Sequence, residues 1–252
     1  MEKRIALISG ATSGIGEATA KVLAAAGIDL ILCGRRKERL DILKAALSKQ
    51  VKVTTLVFDV REMEQVKSAI KTLPAEFNKI DILINNAGNA FGLDFIQNGN
   101  VNDWNLMIDT NVKGLLYVSK EVIPQMIENK KGHIINISSI AGKETYPKGN
   151  VYCASKAAVE ALSAGMRLDL NPYGIKVTNI APGAVNTEFS KVRFNGDEQK
   201  ADKVYEGFEP LQAQDIAEVI GFVLSRPAHV MLGDIVVLPT AQASATTINR
   251  SL

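Results

Sequence analysis

The sequence has few of the residues on which metal sites, disulfide frameworks and histidine-based hydrolysis depend. Only two of its 252 residues are cysteine and two are histidine. Cys33 and Cys153 have neither metal-ligand nor disulfide spacing, so we expect reduced packing residues. His133 and His229 lie near no recognisable nucleophile motif, and His133 is expected to begin a strand. The sequence therefore predicts no metal site and no histidine-dependent hydrolase.

Charge of one sign and long apolar runs are also missing. The formal net charge is +2, and no block of five like charges stands out, which disfavours nucleic-acid binding. No run of eighteen apolar residues and no apolar signal-peptide segment is present, which disfavours a membrane protein. We therefore expect a cytoplasmic protein with a small-molecule substrate.

Short, apolar, β-branched runs alternate with longer helical patterns along the chain. Because the strands lack polar alternation, they are typical of a parallel sheet covered by helices on both faces. This order predicts a single doubly wound α/β (Rossmann) domain over residues 1–252. The predicted strands are Ile5 to Ser9, Leu30 to Cys33, Val53 to Phe58, Ile82 to Asn85, His133 to Ser138, Val177 to Ala181 and Ile235 to Leu238. The predicted helices are Gly16 to Ala26, Lys37 to Leu47, Met63 to Leu73, Trp104 to Glu128, Val151 to Leu170 and Ala213 to Leu224.

Residues 183–211 interrupt the alternation with an irregular, polar and aromatic segment. Loops of more than about 12 to 15 residues in compact domains are usually functional or disordered. The bulky apolar residues within it argue against disorder. We therefore interpret residues 183–211 as a substrate lid.

A glycine-rich turn follows the first strand and opens the first helix. Glycines there permit a tight turn and close approach of the backbone to phosphate, and a helix N-terminus attracts the pyrophosphate. The turn predicts a dinucleotide site, with a merely structural turn as the alternative. The predicted contacts are Gly10, Ala11, Thr12, Ser13, Gly14, Ile15 and Gly16.

Arg35 and Arg36 follow the second strand, where an enzyme that prefers NAD usually has an acid for the ribose hydroxyls. Guanidiniums form charge-assisted bonds to phosphate, so the pair favours the 2′-phosphate of NADP. The alternative is that both arginines are solvated residues at a helix start.

Two further strand ends complete the predicted nucleotide site. Asp59 is predicted to accept a hydrogen bond from the adenine amino group, with helix capping as the alternative. The small residues after the fourth strand suit close approach to the ribose, although an ordinary turn would look the same. The predicted contacts here are Asp59, Val60, Asn86, Ala87 and Gly88.

Tyr152 and Lys156 lie four residues apart, which places a phenol and an ammonium on one helix face. Tyrosine titrates near pH ~10, so basicity near neutrality requires a fall of ~2 to 3 pKa units, or roughly 3 to 4 kcal/mol. Unit charges about 4 Å apart supply roughly 4 kcal/mol at an effective dielectric near 20. The pair is therefore predicted to act as a general acid/base with a lowered phenol pKa.

Ser139 follows the apolar strand that begins at His133. A hydroxyl at such a strand end faces the ligand crevice and can donate to a substrate oxygen as charge develops. Ser138 is the adjacent candidate. Capping of the following turn is the alternative for both serines.

With these parts in order, the chain resembles the classical short-chain dehydrogenase/reductase family along nearly its whole length. The matching motifs are the glycine turn, Asn85 to Gly88, Asn111 in Thr110 to Gly114, Ser139, Tyr152, Lys156 and Pro182–Gly183. The resemblance implies a tetrad in which Tyr152 is the acid/base and Lys156 also holds the nicotinamide ribose. In it, Ser139 rather than Ser138 orients the substrate oxygen, and Asn111 supports a relay water. It also implies cofactor contacts at Pro182, Gly183, Val185 and Thr187. Ser9, where the family usually has threonine, is a small departure.

More narrowly, three segments are similar to those of NADP-dependent 3-hydroxy acid dehydrogenases acting on serine or allo-threonine. They are Gly34 to Arg39, Glu188 to Asp197 and Pro227 to Val230. The resemblance implies a small polar substrate, with serine, allo-threonine, 3-hydroxypropionate and 3-hydroxyisobutyrate all compatible. It also implies a homotetramer with contacts on helices Trp104 to Glu128 and Val151 to Leu170 and on the C-terminal tail, although these faces could be intrachain core.

Arg193 in the lid is predicted to pair with a substrate carboxylate, and a surface or lid-closing salt bridge is the alternative. The expected reaction is hydride transfer between NADP and the carbinol carbon of a small 3-hydroxy acid. The alternatives are a reductase of another carbonyl, such as a 3-oxoacyl thioester or a steroid, and an idle NADP-binding regulator.

Overall fold

A seven-stranded parallel sheet forms the central layer of the structure, a computed structural model that describes residues 3–194 and 196–251. Its strand order is β3-β2-β1-β4-β5-β6-β9. The strands of this sheet are β1 Ile5–Ser9, β2 Asp29–Gly34, β3 Val53–Val57, β4 Ile82–Asn85, β5 Gly132–Ile137, β6 Ile175–Pro182 and β9 Asp234–Val237. Strands β7 Val185–Asn186 and β8 Leu211–Gln212 form a separate two-stranded sheet. The predicted doubly wound α/β fold is confirmed, whereas the single-domain organisation stays a prediction.

Helices cover both faces of this sheet. Their bounds are α1 Gly14–Ala25, α2 Lys37–Leu47, α3 Met63–Lys71, α4 Val101–Ile108, α5 Leu115–Glu128, α6 Asn150–Leu170, α7 Glu188–Arg193, α8 Glu198–Lys203 and α9 Ala213–Leu224. Within residues 3–194 and 196–251, none of the helices combines the length and apolar character needed to cross a bilayer.

Strand β1 shows why the apolar runs lack polar alternation. Its five residues are all buried. Ala6 and Ile8 point into the core beneath α1, α2 and α9, whereas Ile5 and Leu7 point into the core beneath α3 and α5. Because both faces of a parallel strand are covered, each residue is selected for apolar character. The strand order reverses between β1 and β4, and ligand crevices in such sheets lie at that point.

The predicted helix Trp104 to Glu128 is helical throughout, but it is not one uniform α-helix. The helix begins earlier, at Val101. A π-helical turn at Asp109–Gly114 divides it into α4 and α5. The cause lies in contacts with other segments: the Asn111 side chain bonds both backbone groups of Asn89, and Gly114 packs against Val60 so closely that a side chain there would clash. π-Turns within helices are frequent at functional sites.

The predicted lid, residues 183–211, is more regular than the sequence suggested. It contains the helices α7 and α8 and begins at the two-residue parallel ladder between β7 and β8. Thr187 and Asp197 cap the two helices by accepting hydrogen bonds from Phe189 N and Lys200 N. Asn195, within the predicted lid, lies outside the described residues.

Candidate active site

A cleft of about 630 Å³ opens at the carboxyl ends of the central strands and brings most of the predicted site residues together. The predicted residues on its wall are Gly10, Thr12, Ser13, Gly14, Ile15, Arg35, Arg36, Asp59, Val60, Asn86, Ala87, Gly88, Ser139, Tyr152, Lys156, Pro182, Gly183, Val185, Thr187 and Arg193. Ala11, Gly16 and Asn111 are buried next to this wall, and cofactor contacts of Ala11 and Gly16 stay predictions.

The glycine turn has the backbone geometry that a phosphate cradle requires. Gly10 and Gly14 adopt φ of 66° and 54°. These angles lie in the left-handed region, which residues other than glycine rarely adopt. A Cβ at Gly16 would collide with the Gly10 carbonyl oxygen, so Gly16 permits close packing of α1 on the turn. Ser13 is the N-cap residue of α1 but makes no side-chain cap bond. The first N–H groups of α1 are therefore left for an anion, which fits a dinucleotide pyrophosphate.

Ser9, the small departure from the family pattern, holds the turn against the end of β4. Its hydroxyl accepts hydrogen bonds from Asn86 N and Ala87 N, each at 3.1 Å. The Asn86 amide donates to the Ser9 and Gly10 carbonyl oxygens at 3.0 and 3.1 Å. The position of Ser9 at a strand end could have revealed this role, by the same argument that selected Ser139.

Arg36 begins α2 as its N-cap residue and is partly exposed, as in the alternative interpretation, but its guanidinium is bonded within the protein. Its Nε and Nη2 donate to Thr12 Oγ1 at 3.1 and 2.9 Å, and Nη2 also donates to Ser13 Oγ at 2.7 Å. Its Nη1 donates to Glu188 Oε2 at 2.9 Å. Most of its N–H groups are engaged, so Arg36 ties the glycine turn to α7.

Arg35 differs from its neighbour because its guanidinium is available. The Arg35 side chain is 65% exposed, and its ion pair with Asp59 is long, with 3.5 Å between Nη1 and Oδ2. It nevertheless lines the cleft. Of the two arginines, Arg35 is therefore better placed to bind a 2′-phosphate.

We expect Arg35→Ala to weaken NADP binding about 10- to 100-fold while changing NAD binding less than threefold, because charge-assisted bonds contribute ~1.5 to 3 kcal/mol. Cofactor titration followed by fluorescence measures both constants. Lys37→Ala is the matched control, since Lys37 is a nearby cation that pairs with Asp41 on the exposed face of α2. An equal loss for both cofactors would contradict a phosphate contact.

Asp59 lies in the cleft but does not cap α3, whose N-cap residue is Glu62. Its carboxylate accepts hydrogen bonds from Arg61 Nε and Nη2 at 3.0 and 2.6 Å. Burial acts to raise the pKa of the Asp59 carboxyl, but the bonds from Arg61 and the charge of Arg35 hold it below its usual value. The helix-capping alternative is therefore wrong, and adenine recognition stays a prediction.

Ser138 and Ser139 follow β5 and point in different directions. The Ser138 hydroxyl donates to the Lys156 carbonyl oxygen at 3.3 Å and is buried. The Ser139 hydroxyl donates to the Pro182 carbonyl oxygen at 3.4 Å, and the serine acts to lower the pKa of Tyr152. It also accepts from Ala141 N at 3.1 Å, so it caps the turn as well. The capping alternative is therefore observed for Ser139, and its role toward a substrate oxygen stays a prediction.

The environment of Tyr152 overturns one prediction. Burial and the neighbouring Tyr146 raise the pKa of the Tyr152 phenol well above its usual value, although Ser139 and Arg193 act to lower it. Lys156 Nζ lies 6.0 Å from the Tyr152 ring centre and donates to the Ile137 carbonyl oxygen at 3.0 Å. The predicted fall in the phenol pKa is wrong here, because the cost of burying a phenolate exceeds the available positive charge.

Lys156 and Asn111 meet beside Gly88. A Cβ at Gly88 would lie 3.2 Å from both Lys156 Nζ and Asn111 Oδ1. Burial lowers the pKa of Lys156 to about 8. The Asn111 amide donates to Asn89 O at 2.8 Å, which fixes its orientation. Asn111 therefore supports this corner of the site from behind the wall.

Arg193 enters the cleft from the C-terminal end of α7. Its guanidinium lies 5.7 Å from the ring centres of both Tyr146 and Tyr152, and its Nε donates to Gly92 O at 3.2 Å. Arg193 is therefore not a surface residue, and a positive charge faces the phenol. The bond to Gly92 joins the lid to another segment, so a lid-closing role and the pairing with a substrate carboxylate both stay predictions.

Sequence reasoning missed several cleft residues that only the fold brings together. Tyr146 contacts the Arg193 guanidinium, and the Phe189 ring lies 5.6 Å from that of Tyr152. Gln242, far along the chain, accepts a hydrogen bond from Ala184 N at 2.8 Å. No local spacing marks these positions.

Comparison with known proteins agrees with this geometry. The family described as short chain dehydrogenase matches residues 4–198. The chain belongs to the short-chain dehydrogenase family. The resemblance and the enzyme class predicted from the sequence are both confirmed. The dehydrogenase is thus an oxidoreductase, and its cleft coincides with the predicted site.

Several relatives match the dehydrogenase over almost its whole length. Sulfoacetaldehyde reductase 2 of Chromohalobacter salexigens is 46% identical over 248 residues, covering 98% of both chains. NADP-dependent 3-hydroxy acid dehydrogenase YdfG of Salmonella typhi is 44% identical over 249 residues, covering 98% of this chain and 100% of that protein. A solved closed form of serine dehydrogenase complexed with NADP+ has a TM-score of 0.92 and 43% identity, covering 96% of this chain and 97% of that one.

Proposed function

We propose that the protein transfers hydride between NADP and the hydroxyl-bearing carbon of a small 3-hydroxy acid. The observation that carries this proposal is the convergence of Tyr152, Ser139 and the Arg193 guanidinium on one cleft. NADP, when bound, carries the hydride, and the protein supplies orientation and proton transfer. The cofactor and substrate class in the names of the relatives support the same choice.

Each side chain has a separate task in this proposal. Arg193 binds the substrate carboxylate, because a guanidinium fork matches a carboxylate in geometry and charge. Ser139 donates to the reacting oxygen, and Tyr152 exchanges the proton with it. Lys156 holds the ribose, and with Asn111 it borders the space beside Gly88 that a relay water would occupy.

The protonation state of the site gives Tyr152 a different task in each direction of the reaction. Because burial raises the pKa of Tyr152, the phenol keeps its proton near neutral pH. A protonated phenol can donate to the oxygen of a carbonyl substrate, which is the step that reduction needs. Oxidation first requires loss of that proton through Lys156 and Asn111.

A second candidate is reduction of a small aldehyde that carries a sulfonate. The Arg193 guanidinium can bind a sulfonate as it would a carboxylate. One relative is named sulfoacetaldehyde reductase. Neutral alternatives, such as a steroid, would leave the charge of Arg193 without a partner inside the cleft.

A panel of kcat/KM values tests the proposal. The panel contains serine, allo-threonine, 3-hydroxypropionate, 3-hydroxyisobutyrate and uncharged alcohols, each with NADP+ and with NAD+, and sulfoacetaldehyde with NADPH and with NADH. We expect the 3-hydroxy acids with NADP to give the highest values. Preference for sulfoacetaldehyde would select the second candidate, and preference for uncharged alcohols or for NAD would contradict both.

The proposal includes a homotetramer, supported by apolar residues exposed on the predicted contact helices. Leu168 on α6 is 78% exposed and Leu116 on α5 is 38% exposed. We expect light scattering to give four times the mass of one chain, and a monomer would contradict the assembly. A cytoplasmic location stays a prediction.

A further inference from the structure

The short helix α7 carries opposite charges at its two ends, and each end contacts a different part of the cleft. At its start, Glu188 accepts hydrogen bonds from Arg36 Nη1 at 2.9 Å and Arg39 Nη1 at 2.7 Å. At its end, Arg193 faces Tyr146 and Tyr152. Six helical residues span about 9 Å. Helix α7 thus connects Arg36 and Arg39, at the nucleotide end of the cleft, to Arg193, the proposed substrate anchor.

Two contacts connect α7 to the glycine turn. The guanidinium that binds Glu188 also binds Thr12 and Ser13. In addition, Thr187, which caps α7, lies so near Gly14 that a Cβ there would be 3.3 Å from the threonine side chain. The position of the lid helix and that of the turn are therefore linked through side chains outside the reacting centre.

We propose that Glu188 is a positioning residue that couples the substrate lid to the side of the cofactor site that binds the 2′-phosphate. Its carboxylate neutralises one of the two charges of Arg36 and Arg39, and it anchors the N-terminal end of α7. It thereby limits the attraction for the 2′-phosphate while holding Arg193 in place.

This arrangement predicts effects of opposite sign on the two ligands. Bonds from Arg39 and Arg36 hold the pKa of the Glu188 carboxyl below its usual value, so the residue is charged at neutral pH. Glu188→Gln removes that negative charge and weakens the anchor. A phosphate-bearing cofactor should bind more tightly, and an anionic substrate should bind more weakly. A merely structural role would weaken both.

The first measurement uses binding alone. Fluorescence titration of the cofactor-free protein with NADPH and with NADH gives both dissociation constants. Because half-exposed ion pairs contribute up to ~1 kcal/mol each, we expect Glu188→Gln to lower Kd for NADPH about three- to fivefold and to leave Kd for NADH unchanged. Weaker or unchanged NADPH binding, or an equal change for NADH, would overturn the proposal.

The second measurement concerns the lid and rests on the proposed function. With a 3-hydroxy acid as substrate, we expect KM to rise about fivefold and kcat to stay within twofold, since the anchor moves and the reacting groups do not. An unchanged KM would overturn the coupling. If the wild-type protein turns over no 3-hydroxy acid, the proposed function fails, whereas the binding result still decides the role of Glu188 toward the phosphate.

Two further variants separate charge from reach. Glu188→Asp keeps the charge but shortens the side chain, so KM should rise without tighter NADPH binding. Glu198→Gln is the matched control, because it removes a lid carboxylate that pairs with Lys191 on α7 and does not contact Arg36. It should leave both cofactor constants unchanged. Tighter NADPH binding in either variant would contradict the assignment to Glu188.

Discussion

Tyr152→Phe should lower kcat about 10²- to 10⁴-fold, the range that general acid–base catalysis usually contributes. The substitution removes the phenolic hydroxyl and keeps the ring that packs against Phe189. Cofactor affinity and folding should therefore be retained. Single-turnover hydride transfer, followed by the absorbance of the reduced cofactor, measures the chemical step directly.

Tyr146→Phe is the natural control for this loss. Tyr146 lines the same cleft and is a partly buried phenol with a raised pKa. It touches Arg193 rather than Ser139, so its loss should change the rate of hydride transfer less than tenfold, as expected for a group outside the proton path. Near-normal turnover in Tyr152→Phe, or equal losses in both variants, would exclude Tyr152 as the proton donor.

Arg193→Met should raise KM for 3-hydroxy acids about 10- to 100-fold and KM for uncharged alcohols less than threefold. Methionine has a similar length but no charge, and a charge-assisted bond contributes ~1.5 to 3 kcal/mol. Comparison of the two substrate classes isolates the charge, because loss of the bond to Gly92 would affect both classes alike.

The control for this prediction is Arg226→Met. Arg226 stacks on Phe222 at the exposed end of α9, away from the cleft. Its replacement should leave KM for both substrate classes unchanged. Equal effects of Arg193→Met on charged and uncharged substrates would remove the anchor.

These two predictions depend on the sequence to different degrees. The spacing of Tyr152 and Lys156 and its place in the family pattern mark the proton-transfer residue without any coordinates. Arg193 is marked only as a cation in an irregular segment. The structure adds its position, because α7 turns its guanidinium toward Tyr146 and Tyr152.

Much of the fold could be predicted from the sequence, because burial of both faces of a parallel sheet produces apolar runs without polar alternation. The bounds of β1 and α2 agree with those expected from apolar runs and helical periodicity. The π-helical turn at Asp109–Gly114 was not readable, since it depends on Asn111 bonding to Asn89 on another segment. Contacts between distant segments leave no period in the sequence.

Local sequence thus determined the strands, the glycine turn, the tyrosine–lysine pair and the two arginines after β2, because each depends on neighbours within a few residues. Tertiary structure alone decided that Arg36 braces the turn while Arg35 is available, that Glu188 joins Arg36 and Arg39 to the lid, and that burial raises the pKa of the Tyr152 phenol. The physical reason is that hydrogen-bond partners and desolvation depend on which distant segments pack together.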